Sequence, residues 1–337
     1  MRFARTALVA LVAGALAVTA GCGGRQTGAP ADATAAPGGC EITKDTRISI
    51  ATGNTGGVYY VLGGRYGELV TEATGGKLKA TAAETGASVQ NIQQLGAGTH
   101  QVAFSLADSA ADAVNGAGAF DGKPQKIAAL GQIYPNYTQV VARTEAGINT
   151  IADLRGKRVS TGSPKSGTEV IANRILAAAG LDPAKDIQAQ RLDIGATIDG
   201  MKDGTVDALV YSAGLPTPNI TDLFTSMRDR VKLIDTSGVV DTLQRTNPVY
   251  RVATIAGSTY PGAVDTQTIV VPNLLLVPAD MDASLACVLT RTLYQSTEKL
   301  VATNPAAKDI LLTSARDTAP VPLHPGAKQA LDQLGAG

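Results

Sequence analysis

The sequence has little of the side chains on which enzyme and metal chemistry most often depends. It contains no Trp, only 4 Phe, 2 His and 3 Cys among 337 residues. No CxxC pair occurs, and neither His100 nor His324 lies in a recognisable catalytic motif, so neither a Cys/His metal site nor a serine hydrolase is supported. We therefore expect a binding protein, not an enzyme, without a metal or a cofactor.

There is also no excess of charge of either sign. Lys and Arg together number 29, and so do Asp and Glu. A neutral chain has no basic field that would attract nucleic acid or an anionic membrane surface. Neither GxxxxGKS/T nor a GxGxxG after a strand occurs, and the GxSxG elbow of serine hydrolases is missing. Nucleic acids and nucleotide phosphates are therefore not expected as partners.

Residues 1–21 have the pattern of a lipoprotein signal peptide. A basic start is followed by an apolar stretch shorter than the roughly 20 residues of a membrane-spanning helix. The small residues before Cys22 resemble a bacterial lipobox, which implies cleavage there and lipidation of the Cys22 thiol. Ordinary signal cleavage beside an incidental cysteine is the alternative. We expect an extracytoplasmic protein held by lipid at the outer face of the cell membrane.

Residues 22–40 are predicted to be a flexible tether. No large apolar side chain occurs in 23–39, so this segment cannot offset its ordering entropy by burial. Export makes a disulfide between Cys40 and Cys287 possible. Two unpaired buried thiols are the alternative. About 300 residues remain after the tether, a length more typical of two domains than of one.

Residues 48–57 form the clearest motif. The apolar run at 48–51 predicts a buried strand, and a glycine-rich turn then leads into an amphipathic helix from Val58. Such a turn exposes backbone N–H groups at a helix start, where the macrodipole favours negative charge. The same construction recurs at 158–168. Residues 91–104 also align with 197–210 as helix, Gly-Thr turn and strand, which favours two similar βαβ lobes.

Two strongly apolar segments, 139–143 and 268–277, are predicted to cross between the lobes. One lobe is then 41–140 plus 268–337, and the other is 141–267. Alternating strands and helices indicate an α/β fold with two lobes and mainly parallel sheets. Ligands of such sheets bind beyond the carboxyl ends of the strands. We therefore expect the ligand cleft between the lobes, with one glycine-rich turn on each wall.

Small polar residues in these turns are the candidate ligand groups. Asn54 or Thr55 is expected to cap the first helix, Ser88 the second, and Ser166 with Glu169 fits a capping box. Each of these motifs is also explained by helix capping alone. The candidate ligand-binding residues are Thr52, Gly53, Thr55, Gly57, Tyr59, Ser88, Asn91, Ser105, Ser163, Ser166, Gly167, Thr168, Tyr211 and Gly214.

Larger and charged side chains near these turns leave alternatives open. Tyr59 either faces the cleft, where its hydroxyl can bond a ligand, or packs in the core. Lys165 either adds positive charge to the second turn or is a solvated loop lysine. Arg65, Arg143 and Arg251 are possible partners of an anion, and each is equally well explained as a surface residue.

Several motifs together resemble the TAXI-type solute-binding proteins, the extracytoplasmic receptors of a branch of TRAP transporters. They lie at residues 50–60, 85–91, 151–159, 162–169 and 323–327. The resemblance implies a two-lobed periplasmic-binding-protein fold of type II. It also implies capture of a small organic anion, such as glutamate or a dicarboxylate, for uptake through a TRAP-type membrane permease. We expect the receptor to be a monomer.

The resemblance also identifies ligand loops and two departures from the family pattern. The matching positions are Thr52, Gly53, Gly57, Tyr59, Ser88, Asn91, Ser166, Gly167 and Thr168. The family usually has Gly where this chain has Lys165, and Gly-Ser where it has Ala87-Ser88.

A second functional hypothesis keeps the same ligand cleft. In it, the protein is a ligand-sensing lipoprotein that presents its bound form to a membrane sensor. A neighbouring gene for a multi-span permease favours transport, and a sensor-kinase gene favours sensing.

Overall fold

The computed structural model describes residues 39–336. The predicted signal peptide, the lipidation site at Cys22 and all but the last two residues of the predicted tether lie outside the described residues. Within them, no helix combines the length and the apolar character that a membrane crossing requires.

Ten strands within residues 39–336 form one sheet. They are β1 (Thr46–Ala51), β2 (Leu78–Ala83), β3 (Val102–Leu106), β4 (Ile127–Arg143), β5 (Arg158–Ser160), β6 (Gln188–Gln190), β7 (Ala208–Ala213), β8 (Val231–Leu233), β9 (Arg251–Ile255) and β10 (Thr266–Pro278). The strand predicted at 48–51 is confirmed as the last four of the six residues of β1. The apolar segments 139–143 and 268–277 lie in β4 and β10, the two longest of the described strands. Their crossing between two lobes stays a prediction.

Ten α-helices accompany these strands. They are α1 (Val58–Ala73), α2 (Ser88–Gly96), α3 (Ala107–Asn115), α4 (Gly167–Ala178), α5 (Ile194–Asp203), α6 (Pro218–Met227), α7 (Val240–Thr246), α8 (Ala283–Gln295), α9 (Thr297–Val301) and α10 (Pro325–Gln333). Most of them follow a strand directly, as the alternation of patterns in the sequence predicts.

The sheet is parallel at both ends and antiparallel in the middle. Its order is β2-β1-β3-β10-β4-β7-β5-β6, with β8 paired to β4 and β9 to β10. β1 pairs in parallel with β2 and β3, and β5 with β6 and β7, whereas β10 and β4 run antiparallel to each other and to β3 and β7. The expectation of mainly parallel sheets therefore holds for the outer strands only.

Helices cover both faces of the sheet, but the two apolar cores differ in extent. Because side chains alternate along a strand, Ala208 and Val210 of β7 enter one core and Leu209 enters another. The core around Val210 is continuous across the sheet and includes residues of α2, α3, α4 and α7. On the other face the apolar residues form two separate clusters, one with α1 and α8, the other with α5 and α6.

A disulfide joins Cys40 to Cys287 of α8, with 5.2 Å between the Cα atoms. Both cysteines are buried, against Val288 and Ala330. The link ties the first described residues to the helical layer. In chain-entropy terms it restricts the unfolded chain over a loop that includes almost the whole fold.

Candidate functional site

The carboxyl ends of strands from both halves of the sheet meet at the middle of β4 and β10. β3 ends at Leu106, which pairs with Asn273 of β10. β7 ends at Ala213, which pairs with Tyr137 of β4. β3 and β7 therefore point toward each other from opposite sides, and the space between their ends is the position at which α/β sheets bind ligands.

A cavity of about 40 Å³ lies in this space. A water molecule requires roughly 10–15 Å³ of such volume, so the cavity has room for a few waters or a small polar group. None of the described residues around it has a charged side chain. They are Gly53, Asn54, Gly57, Val58, Tyr59, Ala87, Ser88, Leu106, Tyr134, Asn136, Ser163, Ser166, Gly167, Thr168, Tyr211, Ser212 and Ala213.

Three helices begin at the cavity wall. The N-cap residues are Gly57 for α1, Ala87 for α2 and Ser166 for α4, and all three line the cavity. The first turns of α1 and α2 have no side-chain cap. Unpaired N–H groups and the macrodipole give such helix starts a partial positive charge. The cavity is thus electropositive, although no ionised side chain lines it.

The predicted caps are only partly correct. Asn54 does not cap α1, because its amide donates to Thr85 O (3.4 Å) and its Oδ1 accepts from the Ser163 hydroxyl (2.9 Å). Thr55 is exposed and does not cap α1 either. Ser88 is the first residue of α2 and not its cap, because the chain turns into this helix one residue earlier.

The Ser166 cap is confirmed. Ser166 Oγ accepts from the Glu169 N–H at 3.0 Å. The second half of the predicted capping box is wrong, because the Glu169 carboxylate accepts from the Lys165 N–H (2.8 Å) instead. Lys165 lies outside the helix, so Glu169 holds the preceding loop against the first turn of α4.

Backbone N–H groups orient three hydroxyls at the cavity. Ser88 Oγ accepts from the Leu106 N–H (3.1 Å), and Thr168 Oγ1 accepts from the Ser212 N–H (3.2 Å). Ser166 Oγ accepts from its helix as described above. A hydroxyl that accepts from an N–H still has its own proton to donate. Each of these hydroxyls is therefore held by an N–H donor and can still donate its own proton to a ligand.

A chain of buried hydrogen bonds crosses the floor of the cavity. The Tyr59 hydroxyl donates to Asn273 Oδ1, and Asn273 Nδ2 donates to Asn136 Oδ1 at 2.7 Å. Asn136 Nδ2 in turn donates to Ser212 O at 3.2 Å. Burial raises the pKa of Tyr59 well above its ordinary value, so its hydroxyl stays protonated and can donate. These hydrogen bonds link α1 to β7 through β10 and β4.

The structure brings most of the predicted site residues together. Those that line the cavity are Gly53, Gly57, Tyr59, Ser88, Ser163, Ser166, Gly167, Thr168 and Tyr211. The other five do not line it. Thr52 donates to Ala83 O and Asn91 to Thr52 O and Phe104 O, so both tie strands together below the cavity. Ser105 donates to Leu106 O, Gly214 accepts from Thr217, and Thr55 is exposed.

Four polar residues of the cavity are not among the ligand-binding residues predicted from the sequence. Asn54 was expected only as a cap, and Ser212 lies beside the candidate residue Tyr211 but was not itself a candidate. Tyr134 and Asn136 lie inside the 17-residue strand β4, without a turn, cap or glycine beside them. Only the pairing of β4 with β10 and β7 reveals their position.

None of the basic residues considered from the sequence lines the cavity. Arg65 pairs with Glu68 (2.8 Å) and Arg143 with Glu145, while Arg251 donates to backbone oxygens, including Tyr250 O at 2.8 Å. Lys165 has an exposed side chain, as a solvated loop lysine would. Its carbonyl oxygen accepts from the Gln90 N–H of α2 at 3.1 Å.

Two loop residues at the site have backbone conformations that favour glycine. Ala87 has φ 76° and ψ −151°, and Lys165 has φ 62°. These are the two positions at which the TAXI pattern has Gly. A side chain in such a conformation costs about 1–3 kcal/mol, and strain of this kind is concentrated at ligand loops.

Replacing Ala87 by Gly is expected to raise the free energy of unfolding by about 1 kcal/mol. The relief of strain exceeds the roughly 0.5–1 kcal/mol of extra chain entropy that Gly loses on folding. Urea unfolding measures the change. Ala97→Gly is the matched control, because Ala97 has an ordinary φ of −83° and gains nothing from glycine. A loss of stability in both variants would show that Ala87 is unstrained.

A buried ion cluster lies beside the site, between α3 and α4. Arg174 pairs with Asp108 (2.9 Å) and Asp112 (2.5 Å), and the Tyr250 hydroxyl donates to Asp108 at 2.6 Å. The Asp108 side chain has no exposed surface, and that of Arg174 is 19% exposed. Among residues 39–336 no group of three or more His, Cys, Asp or Glu is placed to hold a metal ion.

Known proteins share this architecture. The model of the NMT1-like family matches residues 50–335. The alkanesulfonate-binding protein SsuA of Xanthomonas axonopodis pv. citri, bound to MOPS, is 16% identical, with 86% of this chain and 84% of that chain covered and a TM-score of 0.50. A protein of Bordetella bronchiseptica RB50 is 16% identical over 85% and 88% of the two chains, with a TM-score of 0.53.

A TRAP periplasmic solute-binding protein of Ochrobactrum anthropi is a more distant match. It is 14% identical over 87% and 83% of the two chains, with a TM-score of 0.42. At such identities, the two stronger likenesses establish the fold, which is the α/β fold of type II periplasmic binding proteins. With this fold and a family match over most of its length, the chain belongs to the NMT1-like family.

Proposed function

We propose that this protein is a lipid-anchored extracytoplasmic receptor that captures a small organic anion for uptake through a TRAP-type permease. The observation that carries the proposal is the cavity between the ends of β3 and β7, where three helix starts meet oriented hydroxyls. Such a site offers N–H and O–H donors to anionic oxygens and has no nucleophile with a base to change them. Glutamate and dicarboxylates belong to the ligand class implied by the TAXI resemblance.

Two lobes, 41–140 plus 268–337 and 141–267, would close over the ligand about β4 and β10. Contacts between loops of the two segments support this motion. The Ser163 hydroxyl donates to Asn54 Oδ1 (2.9 Å), and the Gln90 N–H donates to Lys165 O (3.1 Å). A ligand that bonds to both walls favours the closed arrangement, because it gains contacts there that an open form lacks.

Export and anchoring rest on the N-terminal sequence. A lipid on Cys22 and the tether that follows would leave the domain free to reach a membrane permease. The Cys40–Cys287 disulfide supports an extracytoplasmic location, since disulfides persist in oxidising compartments. Membrane fractionation of cells that express the full chain, compared with a Cys22→Ser variant, tests the anchor. A wild-type protein that stays in the soluble extracytoplasmic fraction would contradict it.

Replacing Thr168 by Val is expected to weaken binding of a carboxylate by about 1–2 kcal/mol, the size of one lost charge-assisted hydrogen bond. Thr168 lines the cavity, and its Oγ1 is oriented by the Ser212 N–H. A thermal-shift screen of carboxylates first identifies a ligand, because binding to the native state raises the melting temperature. Calorimetry then measures affinity. Thr168→Ser retains the hydroxyl and should bind as the wild type does; equal affinity in all three proteins would contradict the site.

A further inference from the structure

Two buried hydroxyls at the cavity have no hydrogen-bond partner within the described protein. They are Tyr134 OH and Ser212 Oγ. Both residues line the cavity, and their exposed fractions are 0% and 7%. Burying a hydroxyl without a partner costs free energy that folding alone does not recover. A group that enters the cavity and accepts from them would recover it.

The surroundings of these two residues hold them in place. Tyr134 packs its ring edge-on against Tyr59, with 6.4 Å between the ring centres. The backbone of Ser212 is fixed on both sides, because its N–H donates to Thr168 Oγ1 and its carbonyl accepts from Asn136 Nδ2. Burial raises the pKa of Tyr134 well above its ordinary value, so this phenol remains a donor. The Tyr134 ring and the Ser212 backbone are therefore held at the cavity.

Positive charge on a ligand would find no partner in this cavity. No Asp or Glu of the described part of the chain lines it, and the nearby carboxylates are engaged. Glu84 accepts from the Thr55 N–H, Glu169 from the Lys165 N–H and Arg191, and Asp193 from the Ala196 N–H. An ammonium group enclosed there would lose its hydration and meet neutral oxygens but no carboxylate counter-charge. A carboxylate, in contrast, meets hydroxyl donors and helix starts.

We infer that Tyr134 and Ser212 donate to the anionic oxygens of the ligand, and that the ligand is a small carboxylate without an ammonium group. This inference rests on the proposed function and narrows it. Oxo acids, hydroxy acids and dicarboxylates fit the description, whereas α-amino acids, including glutamate, do not.

Matched ligand pairs test the ligand class. Calorimetry with residues 39–337 or the full chain would compare pyruvate with alanine and 2-oxoglutarate with glutamate. At least one acid should bind at least tenfold more tightly than its amino acid. Equal or tighter binding of the amino acid would overturn the inference while leaving anion capture intact. Tighter binding of an alkanesulfonate than of every carboxylate would overturn the assignment to carboxylates. No binding by any of these acids would contradict the proposed function as well.

Matched variants test the two hydroxyls. Tyr134→Phe and Ser212→Ala should each weaken binding about tenfold, since each removes a hydrogen bond to a charged group. Neither should lower the melting temperature of the free protein, because each removes a hydroxyl that has no partner in the protein. Tyr66→Phe is the control. Its buried hydroxyl donates to Leu289 O (2.8 Å), away from the cavity, so the variant should lose stability and keep its affinity.

Affinity and melting temperature together distinguish a role in ligand binding from a role in packing of the free protein. Unchanged affinity in Tyr134→Phe and Ser212→Ala would overturn the role of these hydroxyls, whatever happens to stability. Lower stability together with unchanged affinity would show that both side chains serve the fold alone.

Discussion

Arg174→Met is expected to lower the free energy of unfolding by about 3–5 kcal/mol, because it leaves a buried carboxylate without its counter-charge. Asp108 has no exposed side-chain surface, and Arg174 is its only cationic partner among the described residues. Met keeps the apolar stem of Arg but removes the guanidinium. Tyr250 continues to donate to Asp108, which does not compensate for a missing positive charge. Urea unfolding at constant pH measures the loss.

Two further variants give this measurement its controls. Arg65→Met removes an exposed ion pair with Glu68 and should change stability by no more than about 0.5 kcal/mol. Adding Asp108→Asn to Arg174→Met removes the orphaned charge and should recover part of the loss. If Arg174→Met cost as little as Arg65→Met, the cluster between α3 and α4 would carry no stabilising charge pair.

Gly167→Ala is expected to weaken ligand binding roughly 10- to 100-fold, the equivalent of an overpacking cost of about 1–3 kcal/mol. A Cβ at this position would lie 2.5 Å from Leu106 Cδ1 and 2.6 Å from Ser88 Oγ. Gly167 begins α4, whereas Ser88 and Leu106 belong to the facing wall. In the proposed closure, the clash arises only when the two walls approach each other, so an open form would tolerate the methyl group.

Gly64→Ala provides the matched control for this variant. Nothing lies within 4 Å of a Cβ at Gly64, which is in the interior of α1. Alanine there should raise stability by about 0.5–1 kcal/mol and leave affinity unchanged. Calorimetry with the ligand found by thermal shift compares the two variants. Wild-type affinity in Gly167→Ala would mean that the walls do not close over the ligand, and the two-lobe closure would have to be abandoned.

The correct sequence predictions are those that depend on local patterns. The apolar run at 48–51, the helix that follows the turn and the cap at Ser166 each involve residues within a few positions of one another. The caps that failed also show the limit of local patterns. Asn54 has the right chemistry for a cap, but its amide bonds Thr85 and its oxygen bonds Ser163, far away in sequence.

The sequence by itself determined the alternation of strands and helices, the two glycine-rich turns and the resemblance to solute-binding proteins, because these are properties of short segments. Only the tertiary structure decided which side chains share the cavity. Tyr134 and Asn136 reach it because β4 pairs antiparallel with β10 and β7, a register that depends on residues more than 70 positions apart, such as Tyr137 and Ala213. Among residues 39–336, no arginine lines the cavity. Charge and ligand class thus depend on packing between distant segments, which no local pattern encodes.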